Sequence, residues 1–485
     1  MSPYGPIDLR PVWPALIVAI TGVIVLLVQA VTPRGKGGPF AALSLVGIAA
    51  ALGATGVLAT GPGRGAVLGG AIAADEFALF FHVLILVIAA LAVLLSPSYL
   101  RAAGLERGEY YALTLFSVVG MLGLVSSREL VSLFVALEIM SISIYALAGL
   151  RRERPESQES AMKYFITGAF SSAFFLYGVA LLYGVSGSTS LGPIATAVRG
   201  AAGGPAAVAL AGTGLLLVGF GFKVACVPFH MWVPDVYEGA PTPVTALMSA
   251  GVKTAAFGAL IRVFLQALPS LTSEWHPAVA ALAALTIVVG NLGALAQSSV
   301  KRMLAYSSVA HAGYLLAALV AAPGVGTEAV LFYLVAYSAV NLGGLGTLAA
   351  LARDGREPLT FADVAGLARR RPVIAAAFAV FLVSLTGIPI SAGFVGKFYL
   401  FTAAIDGGYV TLAVVGVLMS AVSAYYYLGV IVAMYMREPA GEDAWGPVGA
   451  AAGVALTASV LIVLGLGVYP GPVLAWARLA ARSLL

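Results

Sequence analysis

Fourteen charge-poor apolar stretches divide this 485-residue chain, at 12–31, 40–60, 76–97, 110–126, 129–149, 159–184, 207–229, 242–266, 277–297, 302–321, 327–351, 373–404, 410–436 and 447–470. A helix crosses the hydrocarbon core of a bilayer in about 20 apolar residues, so these stretches predict fourteen transmembrane helices joined by short loops. Their continuous hydrophobicity, rich in Gly and Ala, argues against barrel strands, which alternate apolar and polar residues over about ten positions. Only 10% of the residues are charged and the mean hydropathy is +1.00, whereas soluble chains carry about 25% charge. The expected fold is an all-α polytopic membrane protein, a single integral membrane domain over 1–485. The first stretch lacks a charged segment and a small-residue cleavage site, so it reads as a retained helix and not a removed signal peptide.

Basic residues set the orientation. Loops after odd-numbered helices hold fifteen: Arg34, Lys36, Arg101, Arg107, Arg151, Arg152, Arg154, Lys301, Arg302, Arg353, Arg356, Arg369, Arg370, Arg371 and Arg437. The other face holds seven: Arg10, Arg64, Arg128, Arg199, Arg262, Arg478 and Arg482. By the positive-inside rule the first group faces the cytoplasm and both termini face outward. The net charge of +5 is therefore a topology signal and gives no reason to invoke nucleic acid. One cysteine, Cys226, excludes a disulfide framework and cannot alone ligate an iron–sulfur cluster.

The remaining four basic residues lie inside predicted helices, and all are lysines: Lys163, Lys223, Lys253 and Lys397. Arginine keeps its proton in almost any setting, whereas a desolvated lysine can release one near neutral pH. An ionisable group at hydrocarbon depth costs at least about 2.5 kcal/mol and marks a partner or a task. Proton transfer is the task these residues suit.

Glu138 stands alone nine residues into the fifth helix, about 13 Å deep at 1.5 Å per residue. It is assigned to a pair with Lys223; the alternative is a structural carboxylate held by a neighbouring helix. Lys223 lies in GFGFKVACVPFHMWVPD, where Pro228, Gly219 and Gly221 predict a broken seventh helix. Transporters use such breaks to bring backbone polarity to ion sites, though a lysine there can also snorkel to the surface. Lys253 follows Thr242 by eleven residues, with no other charge between Glu238 and Arg262, and is the expected central proton site. Lys397, in SLTGIPISAGFVGKFYLF, belongs to a second broken helix, the twelfth, unless it is a loop-proximal lysine. His311 in YSSVAHAGYLL is a relay candidate that also reads as a packing histidine. Lys163, four residues after Glu159, is weaker, because that spacing fits a helix-surface ion pair. His230 beside Trp232 fits interfacial anchoring, and His82 and His276 suggest nothing.

Helices four to eight and nine to thirteen make two sets of five. Because five is odd, equal sets enter the membrane from opposite sides and form inverted repeats. The expected organisation is 1–105 for helices one to three, 106–266 for the first repeat, 277–436 for the second, and 447–485 for helix fourteen and a tail. The broken seventh and twelfth helices then correspond, as do the fifth and tenth, which carry Glu138 and His311.

The segments AMKYFITGAFSSAFFLYGVALLYGVSGS, KVACVPFHMWVPDVYEGAPTPVTALMSAGVKTAAF, SSVKRMLAYSSVAHAGYLL and SLTGIPISAGFVGKFYLF resemble the subunit N family of bacterial NADH-quinone oxidoreductase, respiratory complex I. They cover most of residues 129–404; the first and last forty residues are generic membrane sequence. The resemblance implies a fourteen-helix antiporter-like fold of two inverted five-helix units and a non-redox, proton-translocating subunit. It implies that Glu138 pairs with Lys223, that Lys253 is central and that Lys397 leads to the outer face. Lysine at 397 and an end at helix fourteen fit N better than the related M subunit, which tends to have glutamate there, or L, which continues into a lateral helix. No cofactor is expected on this chain, with quinone, NADH, FMN and iron–sulfur clusters on partner subunits. Membrane subunits K, M, L, J, A and H are the implied partners, the peripheral arm an indirect one, and the bacterial plasma (inner) membrane the location. A multisubunit cation/proton antiporter or a membrane-bound hydrogenase-type complex is the alternative, and a solitary solute permease a third reading.

Overall fold

An apolar segment in lipid can satisfy its backbone N–H and C=O groups only along itself, so each long apolar stretch must coil into a helix. The computed structural model describes residues 8–33, 38–61, 65–321, 324–353, 355–439 and 445–484; Arg34, Lys36 and Arg64 of the charge count lie outside them. Helices α1 (Trp13–Val31), α2 (Phe40–Thr60) and α3 (Glu76–Ala102) open the chain. There follow α4 (Gly108–Ser126), α5 (Leu130–Ala148), α6 (Pro155–Ser186), a short α7 (Leu191–Gly200), α8 (Gly204–Val224), α9 (Trp232–Gly239), α10 (Thr242–Leu247) and α11 (Lys253–Gln266). The second half runs α12 (Thr272–Leu295), α13 (Val300–Leu319), α14 (Val325–Ala350), α15 (Leu367–Arg370), α16 (Pro372–Thr386), α17 (Ala392–Asp406) and α18 (Val410–Met436). Helices α19 (Ala450–Val468) and α20 (Gly471–Arg482) close it. Among the described residues the only strands, β1 (Ala66–Val67) and β2 (Ile72–Ala73), form a small antiparallel hairpin ahead of α3.

Twelve of the described helical segments are long and apolar enough to cross a membrane. Two crossings read from the sequence escape that measure. One is α13, which spends positions on Lys301, Arg302, Ser307, Ser308 and His311; the other is the twelfth, built from the two halves α16 and α17. With them the chain is the expected fourteen-span all-α polytopic membrane protein. The α10–α11 crossing is enclosed on all sides and α14 nearly so, while α1, α6 and α18 turn most of their surface outward. Neither α7 nor α20 was expected, since each is shorter than a crossing. Helix α20 lays Trp476 against Phe80, with ring centroids 4.7 Å apart, and Arg478 against Glu328 at 3.0 Å.

Both expected breaks are present. Helix α8 stops one residue after Lys223, and the twelfth crossing pauses between Gly387, which ends α16 at φ +88°, and Ser391, whose hydroxyl accepts from the Phe394 N–H to start α17. An unexpected π turn, Met248–Val252, sits directly before Lys253; such turns recur at functional sites.

Two short backbone bridges lie at opposite ends of the molecule, Glu129 with Ser190 and Ser299 with Thr360. Each residue of the second stands 170 positions beyond its counterpart. Two close helix crossings repeat at the same spacing: a Cβ on Gly120 would lie 2.4 Å from Met140 N, and one on Gly290 2.5 Å from Ala310 N. At both places glycine lets two helix backbones touch, which is how membrane helices pack without a hydrophobic driving force.

Candidate proton-transfer site

Lys223, at the last turn of α8, points inward and is 3% exposed, which removes the snorkelling alternative. Its Nζ donates to Ser141 Oγ on α5 at 2.8 Å and lies 5.2 to 5.5 Å from the ring centroids of Tyr164, Tyr145 and Phe222. The ring faces supply a diffuse negative potential for an ammonium. Glu138, one turn before Ser141, is half-buried and accepts from Ser172 Oγ on α6 at 2.5 Å. Among the described residues no ion pair within 4.0 Å joins Glu138 to Lys223, so the expected direct pair is replaced by two serine contacts on neighbouring turns. Glu138 borders the outward face of α5 that exposes Val135 and Ile139, while Lys223 meets the helix one turn further along.

Lys253 follows the π turn and is enclosed. Its Nζ donates to both the carbonyl and the hydroxyl of Ser308 on α13, each at 2.5 Å, and the Tyr337 hydroxyl donates to the same Ser308 Oγ at 2.9 Å. One turn beyond Ser308, His311 shares Nδ1 with the Tyr333 hydroxyl at 2.5 Å and Nε2 with the Tyr427 hydroxyl at 3.2 Å. A neutral imidazole donates at one nitrogen and accepts at the other, so His311 is set between two phenols as a relay would be. Tyr427 also bonds Ser307 and packs on Tyr426, whose hydroxyl donates to Asn291 Oδ1 at 3.0 Å; Asn291 Nδ2 donates to the Tyr314 hydroxyl at 3.1 Å.

The Tyr314 ring ends that thread at Lys397, 5.3 Å from its Nζ. Lys397 donates to the carbonyls of Leu385 (2.7 Å) and Thr386 (3.1 Å) at the broken end of α16 and to Ser420 Oγ (2.8 Å) on α18. These are three acceptors for the three N–H bonds of an ammonium. Lys163 lies apart from the thread. It pairs with Glu159 at 2.6 Å and Asp235 at 2.5 Å on the surface, in a network that Arg302 extends to Asp235 (2.7 Å) and Glu238 (3.0 Å). His230, in the gap between α8 and α9, is not among the hydrogen-bond partners of Lys223, Lys253 or Lys397.

Sequence reasoning treated Lys301 and Arg262 as loop cations, and the structure corrects both. Lys301 is buried in the first turn of α13, donating to the Ala240 carbonyl at 2.8 Å and to Glu357 Oε2 at 3.0 Å. Glu357 also accepts from Thr242 Oγ1 at 2.5 Å and from the Tyr99 hydroxyl, and lies 3.2 Å from Arg151. Burial opposes its charge, but Lys301 and Arg151 outweigh burial and hold the carboxyl below its ordinary value of 4.5. Arg262, inside α11 and 0% exposed, clamps Asp75 through two bonds of 2.7 Å and donates to the Val125 carbonyl at 3.0 Å. A loop glutamate reads like any solvated charge, and only the KR pair opening SSVKRMLAY hinted that this end is built. Among the described residues no three His, Cys, Asp or Glu side chains are grouped to hold a metal ion.

The family model described as NADH:quinone oxidoreductase/Mrp antiporter, TM, matches residues 127–423, the region holding every buried lysine of the thread. NADH-quinone oxidoreductase subunit N of Trichlorobacter lovleyi is 44% identical over 99% of this chain and 98% of its own length. Subunit N of Chloroflexus aggregans is 45% identical over 99% and 98%. A chain of respiratory complex I from Thermus thermophilus with bound aureothin superposes at a TM-score of 0.81 and 40% identity, covering 95% of this chain and 98% of that one. The chain therefore belongs to the NADH:quinone oxidoreductase/Mrp antiporter family, among the antiporter-like N subunits of NADH-quinone oxidoreductase.

Proposed function

We propose that protons cross this subunit by way of Lys223, Lys253, His311 and Lys397, with Glu138 as the switch that sets the charge of Lys223. What supports the reading above all is the run of hydroxyl, imidazole and amide groups between Lys253 and Lys397, its hydrogen-bonded stretches joined by ring contacts of His311 with Tyr337, of Tyr427 with Tyr426 and of Tyr314 with the Lys397 ammonium. A bare lysine in an apolar core would have no use for such a run. The switch is electrostatic. While Glu138 is ionised and near, each group favours the charged form of the other and the carboxylate offsets the lysine's charge; when the two separate, Lys223 stays positive and repels a proton on Lys253 toward His311 and Lys397. Two unit charges about 7 Å apart at an effective dielectric of about 20 interact by about 2.4 kcal/mol, which is enough to move a proton from one site to the next.

The energy comes from quinone reduction elsewhere in the complex. This chain then carries no redox centre, and quinone, NADH, FMN and iron–sulfur clusters belong to partner subunits, with K, M, L, J, A and H as its membrane neighbours. In the bacterial inner membrane the arginine-rich end faces the cytoplasm and both termini face outward. Residues 106–266 and 277–436 form two inverted units, a division supported by the paired bridges and glycine contacts 170 residues apart. That spacing aligns Glu138 with Ser308, the partner of Lys253, and sets His311 opposite Ser141, a register different from the one the sequence suggested. Replacing Lys253 by alanine in the assembled complex tests the reading: NADH-driven proton pumping should be lost, and pumping at the wild-type rate would take Lys253 out of the pathway.

A further inference from the structure

At the arginine-rich end a charge-lined cavity of about 1020 Å³ opens between loops, with Arg151, Glu238, Arg356, Asp363 and Trp445 on its walls and Glu357 among its lining. Glu357 is nearly sealed, its side chain 3% exposed. Its Oε2 accepts from Thr242, the first residue of the eighth crossing. From Thr242 the residues Thr245, Ser249 and Lys253 follow at spacings of three, four and four, all buried. Those spacings keep one helix face. The cavity and the central lysine are thus the two ends of one stripe of hydroxyls, about 16 Å long at 1.5 Å per residue.

Two cations, Arg151 at 3.2 Å and Lys301 at 3.0 Å, hold this one carboxylate, so the head of the stripe carries a surplus positive charge. Lys301 is fixed in a helix, but Arg151 sits on the loop three residues past α5, the helix that bears Glu138 and Ser141. A displacement of α5 at the Lys223 contact would reach Arg151 across only three residues of loop.

We propose that the Arg151–Glu357 contact is a gate on proton uptake into the stripe, opened by displacement of α5; the proposal rests on Lys253 being the central site. Closed, Glu357 stays ionised and the surplus positive charge repels a proton from Thr242. Open, with Arg151 withdrawn, the carboxylate takes a proton from a hydronium in the cavity and passes it along the stripe to the neutral amine of Lys253. The hydronium becomes water, the carboxylate is restored, and the amine becomes an ammonium.

Membrane vesicles holding the assembled complex, quantified by native gel, test the gate with an imposed pH gradient and no NADH. Arg151→Gln vesicles should dissipate the gradient faster than wild type, Arg151→Lys should stay tight, and adding Lys253→Ala to Arg151→Gln should abolish the leak. Glu357→Gln, which keeps an acceptor oxygen for Thr242 and Lys301 and can donate its NH2 to the Tyr99 hydroxyl, should lose NADH-driven pumping. Should Glu357→Gln fail to assemble, the Arg151→Gln leak decides alone. A tight, normally pumping Arg151→Gln complex, or a leak that survives Lys253→Ala, overturns the gate. If Lys253→Ala pumps normally, the central site itself falls, which separates that failure from the gate's.

Discussion

Lys223 and Lys397 both sit at helix breaks, yet the protein accommodates their ammonium groups by opposite means. Lys223 has one hydroxyl, three ring faces and a carboxylate one turn from its serine partner. Lys397 has two backbone carbonyls, one hydroxyl and one ring, with no carboxylate among its contacts. The difference is between a counter-charge that titrates and one that does not. Carbonyls at the end of α16 carry the partial negative charge of a helix C-terminus whatever the proton balance, whereas Glu138 can gain or lose a proton. Lys223 is thereby suited to switching and Lys397 to holding.

The sharpest break in that comparison is mechanical. A Cβ on Gly393 would lie 1.8 Å from the Ser384 carbonyl and 2.8 Å from the Ser384 hydroxyl that binds the Gly393 N–H. Backbone cannot step aside, so Gly393→Ala should cost about 3 kcal/mol, an overpacking loss at the high end, seen as less assembled complex and a lower unfolding temperature. Gly221→Ala at the other break meets the Phe229 ring at 2.8 Å and Cys226 Sγ at 2.9 Å, side chains that can turn, and should cost about 1 kcal/mol. Equal losses would mean the two breaks are built alike.

Charge comes next. Lys223→Ala leaves Glu138 without a nearby cation, so Glu138→Gln added to it should recover part of the lost pumping. The coupling expected between the two is about 1–2 kcal/mol. Lys397→Ala has no such carboxylate to neutralise, and Glu138→Gln should not help it. Additive losses at Glu138 and Lys223, measured as coupled pumping rates, would erase the distinction. Smaller still, Ser141→Ala removes the one hydrogen-bond acceptor of Lys223 and should cost about 1 kcal/mol, while Ser420→Ala leaves Lys397 two carbonyls and should cost less. The reverse order would place the more dependent ammonium at Lys397.

Fourteen crossings and both breaks were legible because apolar length and Pro or Gly within an apolar run are local signals. So was the isolation of Lys253, since charge-free flanks on both sides can be counted. The surroundings were not legible. Nothing in LVSLFVALEIMSISIYALAGL shows that Lys223 meets Ser141 and not Glu138, because the crossing angle of α5 and α8 decides it. The π turn before Lys253 leaves no compositional mark, and the tyrosines around His311 come from α14 and α18, which only folding brings together. Glu357 and Arg262 were hidden for the same reason: a charge in a loop or near the end of an apolar run looks solvated until its partners are placed.

Acid should separate titrating from fixed counter-charges once more, with the smallest effect. The Glu357 carboxyl is depressed below 4.5, despite burial, by Lys301 and Arg151. A depressed carboxylate stabilises the fold fully above its unfolded value and loses that stabilisation as the pH falls through its folded value. Below pH 4.5 the ties from Glu357 to Lys301, Arg151 and Thr242 should therefore weaken, and with them the neighbouring Val300 N–H bond to the Leu359 carbonyl, 2.6 Å in this structure. Protection of the Val300 amide, taken relative to its chemical exchange rate, should fall with acid in the wild-type complex and be nearly independent of pH over that range in Glu357→Gln. The Gly387 N–H, which bonds the Val383 and Ser384 carbonyls at the α16 break, has no carboxylate behind it. Its exchange should change over that range only as the chemical rate does, and parallel acid loosening at both positions would mean that the Lys397 break also depends on a titrating group.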